Sequence, residues 1–580
     1  MIWRLRILMF AWVALSLTVI TACSDSSDNA AAAEPAKAAS LQTVYTGGDI
    51  VTMIGETPRY AEALVVKDGK ITFVGSAIEA KTVAGKDHQV VDLGGNTLLP
   101  GFIDAHGHVF NSGMMAIAAN LLPAPDGNTA SIDKLIANMN DWKGKNQKVI
   151  EKYNVILGMG YDDSQLAEGR HPTAYDLDKI STEIPVLAVH QSNHLASMNH
   201  KALELVGYVK GVKDPPGGLI RRKPGTDEPN GVLEEMAFFL PLLKLMGQLD
   251  SKSNESLARA GMQSYIKYGF TTGQEGRATK DASEVWKVLA KNGELNIDIV
   301  AYPDLQVEMD YMLKEGVQKT YTNHYRIGGI KLSLDGSPQG KTAWLTKPYS
   351  NEENGSKGYP AIADDNELQR FVDTAFERNW QVLAHANGDA AGDQFLRAIS
   401  KAKTKYGNEG RRDVMIHAQT ARDDQLDLMK ELGVIPSFFG MHTYYWGDLH
   451  VKNLGEERAY RISPAASARK KAMIFTQHHD SPIVYPNSIM ILHAVVNRTS
   501  RSGQVIGAEE RISPYDALRS VTTWAAYQHF EEDLKGDLSV GKLADFVVLD
   551  KNPLKVDPGT IKDIKVMQTI KEGKLIYQLQ

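Results

Sequence analysis

The stretch "LLPGFIDAHGHVF", Leu98 to Phe110, decides how the rest of the chain is read. Its apolar run is interrupted by Pro100 and Gly101 and ends in His106 and His108, two of only 16 histidines. In a strand, residues i and i+2 point to the same face, so both imidazoles would project to one side, about 7 Å apart along the backbone. Such a pair is either two ordinary polar residues at a strand end or part of a metal site. Ligands elsewhere in the chain decide between the two.

Seven further apolar runs alternate with helical stretches: "GFTTGQEG", "NIDIVAYPDL", "RIGGIKLSLDG", "NWQVLAHANGD", "RDVMIHAQT", "GVIPSFFG" and "KAMIFTQHHD". Strands alternating with helices predict βα units and a parallel sheet, and eight of them predict an α/β fold of the (β/α)8 TIM-barrel type. In that architecture the active site lies at the C-terminal strand ends. Several runs turn polar there with metal-binding residue types. The first ends in His106 and His108, the fifth in His385, the sixth in His417 and the eighth in Asp480. Four imidazoles and a carboxylate form a ligand set for one or two divalent ions, zinc first. The fourth run carries Lys331, which spacing alone would leave as a strand lysine reaching solvent.

Residues 96–534 are assigned to this barrel. The connection between its first two strands, 111–250, is far longer than a barrel needs and reads as an inserted subdomain. Short alternating runs punctuated by "GG" and "DG" fill 43–95 and return in 535–580, which predicts a small β-sandwich domain built from both termini.

The N-terminus has a different character. "MIWRLR" precedes the charge-free "ILMFAWVALSLTVITA", too short to span a bilayer comfortably and suited to a secretory signal. "VITAC" follows the pattern of a bacterial lipobox, making residues 1–22 a signal peptide and Cys23 the lipidation site; an uncleaved anchor is the alternative. Ser24 favours the outer membrane, facing the periplasm of a Gram-negative bacterium, and 23–42 is a tether. Cys23 is the chain's one cysteine, which excludes disulfides, cysteine-ligated zinc and a cysteine nucleophile. A net charge of −6 without a basic run gives no sign of nucleic-acid binding.

"PGFIDAHGH", the lysine strand, "HANGD", "HAQ", the aspartate before Pro482 and the closing "GKLADFVVLD" together resemble the metal-dependent amidohydrolase superfamily. More narrowly they resemble its family 3 branch, which includes N-substituted formamide deformylases; "GGLIRRKPGTDEPNGVLEEMA" in the insertion is similar to that branch as well. The resemblance implies that His106 and His108 bind one metal, that a carboxylated Lys331 bridges two, and that His385 and His417 bind the second. It gives Asp480 a contact to the first metal and the proton of the attacking water. Two departures bear on substrate: Ala390 stands where the branch has arginine, and "HHD" replaces "GSD". The added His478 and His479 could coordinate, orient Asp480 or touch substrate.

The chemistry expected is hydrolysis of a C–N bond in an amide or N-formyl or N-acyl substrate by a metal-activated hydroxide, since zinc lowers the pKa of bound water to about 7. The same centre would serve a cyclic amide, a carboxyl ester or a lactone, and a non-catalytic surface-binding lipoprotein is the reading from another class. Substrate contacts are weaker: His194 could hydrogen-bond substrate or be a satisfied histidine. Asp162 and Asp163 read as loop caps that a lid position would bring to the pocket. "GSPQGKT" has one residue too few between its glycines for a phosphate loop, and no G-x-S-x-G elbow is present. Oligomeric state is left open.

Overall fold

The computed structural model describes residues 41–246, 250–352, 355–407 and 410–580. The expected signal peptide and lipidation site, residues 1–22 and Cys23, lie outside them. Among the described residues no helix is long and apolar enough to cross a membrane.

Eight parallel strands follow in chain order: β1 (Phe102–Ile103), β2 (Phe270–Ala278), β3 (Asp298–Pro303), β4 (Tyr325–Ile327 continuing as Gly329–Ser333), β5 (Gln381–Ala386), β6 (Val414–His417), β7 (Ile435–Phe438) and β8 (Thr476–Gln477). β3, β6 and β7 are buried along their whole length, as strands covered on both faces must be. Two ladders, β1–β4 and β4–β8, meet at Gly328, where a Cβ would fall 2.6 Å from Val300 and 2.9 Å from the Tyr302 hydroxyl. Past the ends of β8 and β1 the chain is joined by Asp480 N–H to His106 O (3.2 Å) and His108 N–H to Ser481 O (2.9 Å).

Helices cover the strands for reasons visible in their sequences. Asp365–Glu377 is capped by Asp364, whose side chain accepts from Asn366 N, and buries Leu368, Val372, Ala375 and Phe376 at helical spacing. Ser251–Lys267 is capped in the same way by Asp250.

The opening stretch is not one strand. Thr97–Pro100 pairs with Phe546–Leu549 in a separate sheet, and only Phe102–Ile103 belongs to the parallel array. Pro100 has no N–H to continue a ladder. Gly101 crosses between the sheets where a Cβ would sit 2.4 Å from the Thr271 side chain. The proline and glycine are therefore the crossing point from one sheet to the other.

That separate sheet draws five strands from residues 42–100 and three from 546–578. Seven of its strands lie in one hydrogen-bonded row, and His88–Asp92 branches off it to pair in parallel with Gln42–Val51. One face carries the helix Ala77–Ala84; on the other, side chains from both chain ends meet, as in the edge-on contact of Tyr45 with Phe546. Between β1 and β2 a six-stranded sheet spans Ala119–Glu235, with apolar clusters around Leu122 and Leu233 and around Leu121 and Leu135.

Candidate metal centre

His106 and His108 lie beyond β1, in a turn, and strand alternation does not align them. Asp104 shapes that turn: its Oδ1 accepts from His106 N (3.0 Å) and its Oδ2 from Gln274 N (3.1 Å). Gly107 is required because a Cβ would meet the Tyr265 hydroxyl at 2.2 Å, and Gly276 because one would strike the His106 ring at 2.4 Å. The result brings His106 and His108 Nε2 to 3.3 and 3.2 Å from Asp480 Oδ1. His417 Nε2 is 3.9 Å from Asp480 Oδ2 and 3.1 Å from His385 Nδ1. Lys331 Nζ is 3.3 Å from His106 Nε2. His417 (φ 71°) and Asp480 (φ 52°) both hold left-handed backbone, a strain that non-glycine residues tolerate mainly at functional sites.

The hydrogen-bond network assigns the ring protons. The Gln274 amide donates through Nε2 to Ala105 O (2.6 Å), so its Oε1 must accept, 2.8 Å away, from His106 Nδ1. His106 Nε2 then carries a lone pair and faces the carboxylate oxygen of Asp480, which has no directed hydrogen bond. His385 Nε2 lies between Gly336 O, an acceptor at 3.2 Å, and Asn387 Nδ2, a donor at 3.1 Å, so its surroundings accommodate the tautomer that leaves a lone pair on Nδ1. Burial holds the His106 and His417 rings well below the usual imidazole range and lowers His385 to about 3, leaving all three neutral. The His106 lone pair, backed at Nδ1 by Gln274 and facing an unpartnered carboxylate oxygen at contact distance, forms an arrangement that a divalent cation resolves. The residues present fit such an ion.

Lys331 departs from the solvent-reaching lysine that spacing suggested. It is 2% exposed, and burial lowers its amine to about 7. Its neighbours left it no route to water, a fact of the fold and not of its strand's sequence.

The other expected contacts separate. His194 Nδ1 meets Glu235 Oε2 at 2.9 Å, and a charge on His194 would act against protonation of His385, so it stands within electrostatic reach of the centre. Asp162 is buried in the insertion with its Oδ1 capping Ser164 N (3.0 Å) and sits beside Asp163 and His190. Ser192 N donates to His190 Nδ1, which puts the His190 proton on Nε2, toward Asp163, in a hydrogen-bonded pair and not a ligand set. His479, expected as a substrate contact, is instead fully buried: Nδ1 accepts from Ser481 N and the ring is enclosed by Tyr265, Phe270 and Asp104. In the strand-end pattern neither Gln274 nor Ser437, which lies 2.9 Å from His478 Nδ1, stood out. Gln274 had only its place near the end of "GFTTGQEG" to mark it.

Residues 89–577 match the model of the amidohydrolase family. YtcJ of Bacillus subtilis (strain 168) is 25% identical over 558 residues, covering 93% of this chain and 100% of that protein. The N-substituted formamide deformylase of Arthrobacter pascens is 24% identical over 555 residues, 89% of this chain and 95% of its own. A crystal structure of a metal-dependent hydrolase from Pyrococcus horikoshii OT3 superposes with a TM-score of 0.72 at 26% identity, covering 89% of this chain and 99% of that one. A TIM-type α/β fold, buried neutral histidines gathered on one carboxylate at the strand ends, and a match across most of the length lead to one conclusion: the chain belongs to the amidohydrolase family.

Proposed function

We propose that the metal-dependent hydrolysis of this family is directed here at the C–N bond of an amide or N-formyl or N-acyl substrate. The observation that carries the reading is the facing of His106 Nε2 and Asp480 Oδ1, 3.3 Å apart with no proton between them. The formamide-deformylase relative supports the choice of bond. His106, His108, His385, His417, Asp480 and a carboxylated Lys331 would hold one or two divalent ions, zinc first; the eight strands close into a barrel beneath. A bound zinc would supply a Lewis acid that lowers the pKa of water and polarises a carbonyl.

The chain's own residues do the rest. Asp480 takes the proton of the attacking water and delivers it to the leaving nitrogen, as base and then acid. Gln274 holds His106 in one tautomer, and burial keeps the His106, His385 and His417 imidazoles neutral. His194, paired with Glu235, is placed to hydrogen-bond the substrate's polar end. The test is a panel of N-formyl, N-acyl, cyclic-amide and ester substrates given to metal-stripped and zinc-reloaded protein. Zinc-dependent turnover of the first two classes is expected, and turnover confined to esters would overturn the bond assignment.

Lys331 makes a separate prediction. Carboxylation joins the neutral amine to carbon dioxide with loss of a proton, so it needs the amine deprotonated. With the amine lowered to about 7, the neutral form dominates above that pH and disappears below it. Bicarbonate-dependent zinc uptake by stripped protein should therefore rise as pH rises through about 7, and uptake that is flat across this range would count against a carboxylated Lys331.

The N-terminal signal and Cys23 support a lipid-anchored protein facing the periplasm. Cys23→Ser should move it from the membrane to the soluble fraction on cell fractionation.

A further inference from the structure

His417 is the ligand candidate whose outer nitrogen meets another histidine. β6, β7 and β8 lie side by side, with Ile416 opposite Ser437 and Ser437 opposite Thr476. His478, two residues past Thr476 and so on the same face, reaches across the end of β7. Its Nε2 is 3.1 Å from His417 Nδ1 and its Nδ1 is 2.9 Å from Ser437 Oγ. Both His478 and Ser437 are fully buried, and the Phe439 ring lies 5.2 Å from His478.

The line Ser437–His478–His417 can carry its protons in two ways. If the Ser437 hydroxyl donates, His478 Nε2–H points at His417 Nδ1, and the His417 proton is forced onto Nε2, toward His385. If Ser437 accepts, His478 Nδ1–H points at the hydroxyl and His478 Nε2 accepts from His417 Nδ1–H. Only the second arrangement leaves a lone pair on His417 Nε2, facing His385 Nδ1 and Asp480. A serine hydroxyl can play either part. The His478 ring is fully buried with one neighbour at each nitrogen, and a neutral imidazole has one proton to place.

We propose that His478, anchored on Ser437, is the positioning residue for His417: it accepts the His417 Nδ1 proton and so fixes the tautomer that can bind a metal. It is the counterpart, made from a histidine, of what Gln274 does for His106. This rests on the metal-centre reading above. It separates His478 from its neighbour His479, which faces Asp104 and takes no part. The substitution of "HHD" for "GSD" thereby acquires a role in ligand orientation and not in substrate recognition.

The test is zinc affinity of the full chain, measured by chelator competition, for wild type, His478→Leu, His478→Gln and His106→Ala. Leucine fills the space but cannot accept a proton, and loss of an outer partner of this kind costs about 10–100-fold in metal affinity. Glutamine can accept through its carbonyl, as Gln274 does, and should bind zinc within a few-fold of wild type. Leucine binding as tightly as wild type, or glutamine no better than leucine, would overturn the proposal. If His478→Leu does not fold, Ser437→Ala gives the same decision: it removes the acceptor that holds His478 in register, so weaker zinc binding is expected and unchanged binding refutes the relay. His106→Ala separates the two levels of inference. Zinc binding insensitive to His106→Ala sinks the metal centre itself, whereas binding lost in His106→Ala but intact in His478→Leu sinks only the role of His478.

Discussion

Asp480→Asn should lower kcat on a good substrate by about 10²–10⁴-fold, the range removed with a general acid–base group. The substitution keeps shape and volume, and asparagine occupies left-handed backbone at least as readily as aspartate, so the φ of 52° is not a source of new strain. What it removes is the basic oxygen that His106 and His108 face at 3.3 and 3.2 Å. The carboxylate is buried and opposed by the His106 lone pair, so stability is not its main contribution: Tm of the metal-stripped variant should be close to wild type, the pattern of a residue kept for function. A drop in kcat with KM nearly constant and Tm not lowered would identify a catalytic defect. Activity equal to wild type would remove Asp480 from proton transfer, and a Tm loss matching the activity loss would make it a structural residue.

Much of this centre was legible because strand ends are local. His385 follows "VLA" and His417 follows "VMI", and an apolar run ending in histidine announces itself without any knowledge of its neighbours. What was illegible depends on contacts between distant segments. Gln274 lies 168 residues from His106, and His478 lies 61 from His417. No periodicity links such pairs. The "HxH" histidines look like a strand pattern, yet their alignment comes from Asp104 and two crowded glycines brought together by β2 and the helix before it. Pro100 and Gly101 belong to the same class. Their meaning is a change of sheet, and the strand on the far side of that change begins at Phe546. Lys331 is the sharpest case: its strand sequence suits a solvent-reaching side chain as well as a buried one, and only the packing of distant segments around it decides.

The largest stability effect is expected at the other end of the strands. Asp298 is the first residue of β3, whereas His385 and His417 lie among the last residues of their strands and His106, His108 and Asp480 beyond the ends of theirs. Its Oδ2 takes Lys571 Nζ at 2.7 Å and Lys535 Nζ, and its Oδ1 takes His324 Nδ1 at 2.7 Å. Lys571 also meets Asp545 Oδ2 (2.8 Å), Lys535 meets Glu531 Oε2 (3.1 Å), and Glu531 Oε1 meets Arg326 Nη2 (2.9 Å). Three carboxylates and three cations are thus balanced, and every one of them is buried. They tie β3 and β4 to the terminal sheet through Lys571 and to the segment before it through Lys535 and Asp545. Asp298→Ala would leave two buried ammonium groups sharing too little negative charge, and breaking one partner of such a set costs about 3–5 kcal/mol. Burial opposes ionisation of Asp298, but Lys535 and Lys571 hold its carboxyl well below the usual range. Its contribution is therefore complete above the ordinary aspartate pKa of about 3.9 and is lost only as pH falls through the lower folded value. Lys571 is raised above the ordinary lysine value by the same carboxylates, against burial, so its share is complete below about 10.4 and fades only as pH rises past that. The cost of Asp298→Ala should consequently be flat across the neutral range in urea titrations, with kcat of the folded fraction close to wild type because the centre is at the opposite strand ends. A loss below about 0.5 kcal/mol, the scatter of ordinary surface substitutions, would show that the terminal sheet does not depend on this charge cluster.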